Sequence, residues 1–242
     1  MRRLTHQHSL ATKVFRAATA LLACLWAASS ALAAPIELGN FHLLNANQPL
    51  SFTNNGGTSA TLQALSVPVV FNFTVQSGLS TVDRPATLTI NPPPDVLPAI
   101  VAGSLLDQPI HPTMLSLIEN STGKNLLSIL ATNGELVGIT GAQNASLSGA
   151  STSVFTSDYA TFSAPFSQSF NLGLATLSVP LSVGPGGFLN SFISNLNGQF
   201  TVDSAGFVPV PEPTSAALFG IGIMAIAARG LRKKQRLGAA LA

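Results

Sequence analysis

Few residues of this sequence have the types and spacing that catalysis or metal binding requires. Beyond residue 33 the chain has two histidines, His42 and His111, and neither has a second ligand at the spacing of a metal site. No segment matches Gly-x-Ser-x-Gly, His-Glu-x-x-His or a phosphate-binding loop. We therefore expect no catalytic residue, no metal site and no cofactor, and we interpret both histidines as structural or exposed residues.

Carboxylates are the other candidates, because glycoside hydrolysis needs two of them on either side of a cleft. Asp158 and Asp203 could help to hold calcium, although no loop has the repeated oxygen ligands of a calcium site. Eight acidic residues are dispersed between residues 34 and 210, mostly near proline, glycine or serine as in solvated loops: Glu37, Asp83, Asp95, Asp107, Glu119, Glu135, Asp158 and Asp203. An extracellular hydrolase is thus the least supported hypothesis, and bound calcium stays open.

The charges divide the chain into three parts. Of 242 residues, 46% are hydrophobic and 8% are charged, and nine of the eleven basic residues lie before residue 17 or after residue 228. Only Arg84 and Lys124 lie between, so eight acidic and two basic residues give residues 34–210 a charge of −6. A nucleic-acid partner is excluded, because it requires a basic face on the folded domain.

The N-terminus has the order of a secretory signal. Basic residues 1–16 precede an apolar run, residues 17–33, and small residues Ala31 and Ala33 stand where signal peptidase requires them. We predict cleavage after Ala33. This cleavage would also remove Cys24, the only cysteine, and Trp26, the only tryptophan. The alternative is an uncleaved membrane anchor, and in both cases residue 34 onward is exported.

The C-terminus combines a proline-rich motif, an apolar run and a basic cluster. In Val210-Pro211-Glu212-Pro213, two prolines hold the chain extended and prevent a helix from starting before residue 214. Residues 214–228 carry no charge and form a short membrane segment. A basic membrane stop follows, which places the extreme C-terminus on the cytoplasmic side: Arg229, Arg232, Lys233, Lys234 and Arg236.

This arrangement resembles the PEP-CTERM protein-sorting tail. The resemblance implies recognition by exosortase, a membrane-embedded, cysteine-dependent processing enzyme that cuts near the motif and releases or re-attaches the protein at the surface. It also implies that Pro211, Glu212 and Pro213 are the recognition motif, residues 214–228 the membrane segment and the basic cluster the stop. Residues 237–242 extend beyond the usual ending. The alternative is an ordinary tail anchor that is never cut.

Between the two ends, apolar and polar residues alternate with the period of β-strands. The alternation covers residues 71–76, 86–90, 170–172 and 177–179. Residues 126–130 and 136–139 flank Asn133-Gly134, which predicts a hairpin, whereas residues 113–119 could form a strand or a short helix. We predict a mainly β, antiparallel β-sandwich-like exported domain, with an N-terminal signal helix and a C-terminal short transmembrane helix.

These patterns predict four regions and a non-enzymatic role. The regions are a signal peptide at 1–33, a β-rich extracytoplasmic domain at 34–208, a sorting tail at 209–236 and a short end at 237–242. The first hypothesis is a cell-surface or extracellular-matrix protein whose partners are signal peptidase, exosortase, the membrane and an exopolysaccharide. It would be anchored in the inner membrane before processing and would lie at the surface or outside the cell afterwards.

The alternative hypothesis is a carbohydrate- or surface-binding module. Such a module commonly offers an exposed aromatic platform, because sugar rings stack on aromatic faces. Tyr159 is the only tyrosine, and no tryptophan remains after residue 33. Stacking would therefore depend on phenylalanines, which the core of the domain also requires.

Overall fold

The computed structural model describes residues 34–95, 97–149, 153–163 and 167–210. These residues form fifteen strands and three short 3₁₀ turns, Val75–Ser77, Pro185–Gly187 and Ser204–Gly206. The strands are β1 (Pro35–Leu43), β2 (Leu50–Asn54), β3 (Ala60–Phe73), β4 (Arg84–Ile90), β5 (Ile100–Ala102), β6 (Leu105–Ile110), β7 (Thr113–Glu119), β8 (Asn125–Ala131), β9 (Gly134–Ile139), β10 (Ala145–Gly149), β11 (Ser153–Thr156), β12 (Ala160–Phe162), β13 (Gln168–Ala175), β14 (Phe192–Asp203) and β15 (Phe207–Pro209).

Thirteen of these strands form one antiparallel sheet. Its order is β11-β8-β7-β4-β3-β1-β14-β13-β10-β9-β6-β5. The long strands β3 and β14 both pair with β1 along one part of their length and with β2 along another part. The remaining two strands, β12 and β15, pair separately. The domain is thus mainly β and antiparallel, as the alternation predicts.

The large sheet curves back on itself around an aromatic core. Phe155 on β11 and Phe200 on β14 are far apart in the strand order, yet their ring centroids are 6.4 Å apart. The backbone N–H of Phe155 also donates to Oε1 of Gln168 on β13. Phe41 and Phe71 complete the contacts of the Phe200 ring. Burial of these rings supplies much of the hydrophobic stabilisation of the domain.

Most of the predicted strands are present, but the predicted hairpin is wrong. Residues 126–130 and 136–139 lie in β8 and β9, which do not pair, because β8 joins β7 and β11 whereas β9 joins β6 and β10. Gly134 has no positive φ. A β-carbon there would overlap the Thr113 hydroxyl and lie 2.7 Å from the Ile110 carbonyl oxygen. This glycine therefore permits close packing and does not form a tight turn.

The structure also gives the secondary structure of two further segments. Residues 113–119 form strand β7, not a helix. Residues 177–179, predicted as a strand, form a loop in which the Leu177 side chain is buried. The predicted signal helix and the predicted transmembrane helix lie outside the described residues. Within the described ranges, no helix is long and apolar enough to cross a membrane.

Candidate functional site

The residues that the sequence assigns to processing lie outside the described part of the chain. They are Ala31 and Ala33 at the signal cleavage site, Pro211, Glu212 and Pro213 in the sorting motif, and the five basic residues of the membrane stop. The structure does describe the residue before the motif, Val210, and the strand that leads to it. The site is therefore built from the point at which the chain leaves the folded domain.

Strand β15 holds the chain against the domain directly before the motif. It pairs with β12 through three residue pairs, of which Ala160 and Pro209 form the last. The Val210 N–H then donates to the Tyr159 carbonyl oxygen at 2.7 Å. The rings of Phe162 and Phe207 pack with their centroids 5.7 Å apart. Ordered backbone thus continues to the residue next to Pro211.

A buried ionic cluster stands beneath this attachment point. Nη1 of Arg84 donates to Oε1 of Glu119 at 2.9 Å and to the Tyr159 hydroxyl at 3.1 Å. The Tyr159 hydroxyl donates in turn to Oε2 of Glu119 at 2.8 Å, and the Thr122 hydroxyl donates to the same oxygen. The guanidinium carbon lies 4.6 Å from the centroid of the Tyr159 ring. Tyr159 therefore contacts the cluster with its hydroxyl and binds the Val210 N–H with its backbone carbonyl, so it links the two.

The cluster shifts the pKa values of its two acidic members in opposite directions. Burial raises the pKa of the Glu119 carboxyl, but hydrogen bonds from Thr122, Tyr159 and Arg84, with the charge of Arg84, bring its pKa below the usual value of a glutamate. Burial and the hydrogen bond to the Glu119 carboxylate raise the pKa of Tyr159 above the usual value of a tyrosine. At neutral pH the cluster therefore holds an ionised carboxylate and a protonated phenol.

The lowered pKa of Glu119 predicts a loss of stability in acid. Since the folded state holds the Glu119 proton more weakly than the unfolded state does, this stabilisation is complete above the unfolded pKa and falls as pH drops through the lower folded pKa. Urea unfolding of the protein between about pH 6 and about pH 3 should show a steeper fall than unfolding of Glu119→Gln. Parallel curves for the two proteins would contradict the expected contribution of Glu119.

The sequence did not reveal this cluster. The sequence predicts that Glu119 and Asp95 are solvated loop acids, but both are buried. The Asp95 carboxylate accepts hydrogen bonds from the backbone N–H groups of Leu97 and His111, each at 2.7 Å. The sequence does contain one indication of the cluster, namely that Arg84 is one of only two basic residues in the domain. If the fold buries such an arginine, it requires a carboxylate partner.

The other residues considered for chemistry are not brought together. His111 lies beside Asp95 in the connection between β6 and β7, whereas His42 is on β1 and is exposed in a groove. Asp158 and Asp203 each accept a backbone N–H, from Asn125 and Ser167 respectively. No group of three histidine, cysteine or acidic side chains that could hold a metal occurs in the described ranges.

The groove around His42 has a row of amide side chains as its main feature. Asn72, Asn40, Gln199 and Asn171 stand in register on the adjacent strands β3, β1, β14 and β13. Asn40, Gln199 and Asn171 line the groove, which has a volume of about 410 Å³, and these three residues are exposed. The Asn72 and Asn40 amides donate to Asp83 and Glu37 respectively. We call these four residues the amide row.

An aromatic platform is not found in the described part of the chain. Every phenylalanine there is buried except Phe162, which is half-buried, and Tyr159 is buried as well. Any ligand of the described surface must therefore be recognised by hydrogen bonds and aliphatic contacts, without stacking on an exposed ring.

Comparison with protein families gives one match, which covers the tail. Residues 209–233 match the model of the PEP-CTERM protein-sorting motif. This match begins within strand β15 and includes Pro211, Glu212 and Pro213. No curated protein and no solved structure matches the chain.

Proposed function

We propose that this chain is a non-enzymatic structural protein of the cell surface or extracellular matrix. It carries a PEP-CTERM protein-sorting motif at residues 209–233, which supports an exported protein sorted by exosortase. The motif is the observation that carries this proposal. It implies export and a tail that anchors the chain in the membrane before processing. The domain that precedes it is the part to be delivered.

The proposed sequence of events has two cuts. Signal peptidase removes residues 1–33 after Ala33. Residues 214–228 then hold the chain in the inner membrane, with the basic cluster on the cytoplasmic side. Exosortase finally cuts near Pro211–Pro213 and releases the domain, or attaches it, at the surface. The attachment of β15 to β12 supports this scheme, because it keeps a folded domain on one side of the cut.

A structural role is supported by how the polar groups of the domain are used. Arg84, Glu119 and Tyr159 bond to one another, and Asp95, Asp158 and Asp203 each accept backbone N–H groups. These groups stabilise loops and the core. The curvature that brings β11 over β14 further supports a sandwich-like domain with two packed layers.

Intact mass tests the processing scheme directly. Protein from the native host would be measured separately in the membrane fraction and in the extracellular fraction. We expect an extracellular species that begins at Ala34 and ends near residues 211–214. If all chains end at Ala242 and all lie in the membrane, the chain is an ordinary tail-anchored protein and the proposal is wrong.

The amide row favours a second candidate function, namely binding of a polysaccharide. A side-chain amide both donates and accepts, so it can bond to neighbouring hydroxyl groups of a sugar. Four amides on adjacent strands repeat at about 4.8 Å, which suits an extended chain of sugars. An exopolysaccharide of the host would be the partner.

Affinity electrophoresis in gels containing the host exopolysaccharide tests this second function. The double variant Gln199→Ala/Asn171→Ala should bind about thirtyfold more weakly, since it loses two hydrogen bonds that each contribute about 1 kcal/mol. The matched control is Gln143→Ala/Asn144→Ala, because these amides are also exposed but lie outside the row. Equal mobility of both variants and the parent would reject binding at the amide row.

A further inference from the structure

Three connected features place several loops at one end of the domain. Phe71 of β3 pairs with Arg84 of β4, so residues 74–83 form the connection at this end. Arg84 bonds to Glu119, the last residue of β7, whose N–H bonds to the Lys124 carbonyl across the β7–β8 turn. Gly78 lies near the Pro209 ring of β15, since a β-carbon at Gly78 would be 3.9 Å from Cγ of Pro209. We call this end of the domain the exit end.

The start of the domain lies at the exit end as well. Pro35, the first residue of β1, pairs with Asp203 at the close of β14. The Glu37 N–H donates to Oε1 of Gln76 at 2.9 Å, and the Thr74 N–H donates to the Leu38 carbonyl at 3.1 Å. Residues 35 and 210 therefore leave the domain on the same side, although 175 positions separate them in the sequence.

The length of the motif limits how far the exit end can be from the bilayer. Only Pro211, Glu212 and Pro213 separate Val210 from the membrane segment predicted at residues 214–228. Three extended residues span at most about 10 Å. While the tail is intact, the exit end is thus the part of the domain that must face the lipid surface.

The exit end carries exposed apolar side chains. Val75 is 83% exposed, the largest value among the large hydrophobic residues of the described part, and it lies three residues before Gly78, which is near Pro209. Val82, two residues before Arg84, is 64% exposed. Val208 and Val210, at the start of the tail, are 55% and 39% exposed. These four residues are named the valine surface.

We propose that the valine surface rests on the lipid bilayer while the tail is attached, and that the domain leaves the bilayer when the tail is cut. This inference depends on the proposed function, because the tail must first anchor the chain. The tether supplies a high effective concentration, so four valines need only a weak affinity for the lipid interface. After the cut that concentration is lost, and the contact ends.

The charges at the exit end indicate what kind of lipid contact this is. Lys124 is exposed there, but Glu37, Asp83, Asp158 and Asp203 belong to the same end. Since acidic side chains are repelled by anionic headgroups, the contact relies on apolar burial at the interface. It should therefore form on zwitterionic vesicles and should be insensitive to salt.

Fluorescence quenching by lipid tests the proposal with the protein that has lost its signal peptide and kept its tail, residues 34–242. This protein has no cysteine of its own, and it would be labelled at Val75→Cys and reconstituted in phosphatidylcholine vesicles with or without a spin-labelled quencher lipid. The matched control is Leu65→Cys, which is 57% exposed and lies eight residues before the last residue of β3, about 26 Å away along the strand. We expect at least twofold quenching at position 75 and none at position 65.

Flotation of the same vesicles distinguishes anchoring by the tail from contact between the valine surface and lipid. If the protein floats but position 75 is no more quenched than position 65, the valine surface does not contact lipid, whereas the anchoring function stands. If the label at position 75 shifts to the blue without quenching, a second copy of the protein covers the surface and the proposal is overturned. If the protein does not float, the tail does not anchor it, and both the proposed function and this inference fail.

Discussion

Replacing Glu212 by glutamine is expected to keep the chain at full length and in the membrane. Glu212 is the only charged residue between Asp203 and Arg229. Pro211 and Pro213 on either side favour an extended chain at this residue, and strand β15 ends at Pro209, two residues before Pro211. A processing enzyme that binds this carboxylate would lose a charge-assisted hydrogen bond, which contributes about 1.5–3 kcal/mol. Cleavage should therefore slow by roughly tenfold to a hundredfold.

Quantitative immunoblotting of membrane and extracellular fractions measures this effect. Glu135→Gln is the matched control, because Glu135 is an exposed acid on β9, away from the tail. The control should be processed like the parent. Normal release of Glu212→Gln would show that the carboxylate does not take part in recognition, and would assign specificity to the prolines or to the membrane segment.

Replacing Arg84 by methionine is expected to cause a large loss of stability in the domain. The guanidinium is the cationic partner of Glu119, and their side chains are 14% and 6% exposed. Removal of one member of a buried ion pair leaves the other charge uncompensated, at a cost of about 3–5 kcal/mol. For a domain of this size, Tm should fall by roughly 10 °C.

Thermal unfolding followed by circular dichroism would measure the loss. The matched control is Lys124→Met, which removes the other basic residue of the domain. The Lys124 ammonium lies 5.2 Å from the centroid of the Tyr159 ring, but it is exposed, so its contribution should not exceed about 1 kcal/mol. Equal shifts of Tm in the two variants would mean that the buried cluster does not stabilise the fold.

The hairpin that the sequence predicts shows that strand positions can be predicted from a short stretch of sequence, whereas strand pairing cannot. Alternation within β8 and β9 depends only on which side chains face the core, so it can be read from a short window. The partners of these strands lie far away in the chain, and Asn133-Gly134 has no turn to form because the neighbours of β9 are β6 and β10. Strand pairing is a property of the whole sheet.

The ionic cluster was equally beyond local reasoning. Arg84, Glu119 and Tyr159 are separated by 35 and 40 residues, and each is unremarkable among its neighbours in the sequence. Pairing of β4 with β7 brings Arg84 to Glu119. Tyr159 reaches them from the turn before β12, and the pairing of β12 with β15 brings the same residue to Val210. These contacts between distant residues lower the pKa of Glu119.

By itself, the sequence determined the β character of the domain and the sorting tail. Both are encoded in consecutive residues: alternation with period two in one case, and the order of motif, apolar run and basic cluster in the other. The tertiary structure decided which strands pair, which charges are buried, and that residues 35 and 210 leave the domain on one side. These features depend on contacts between residues distant in sequence, since a core excludes water only when the whole sheet has closed around it.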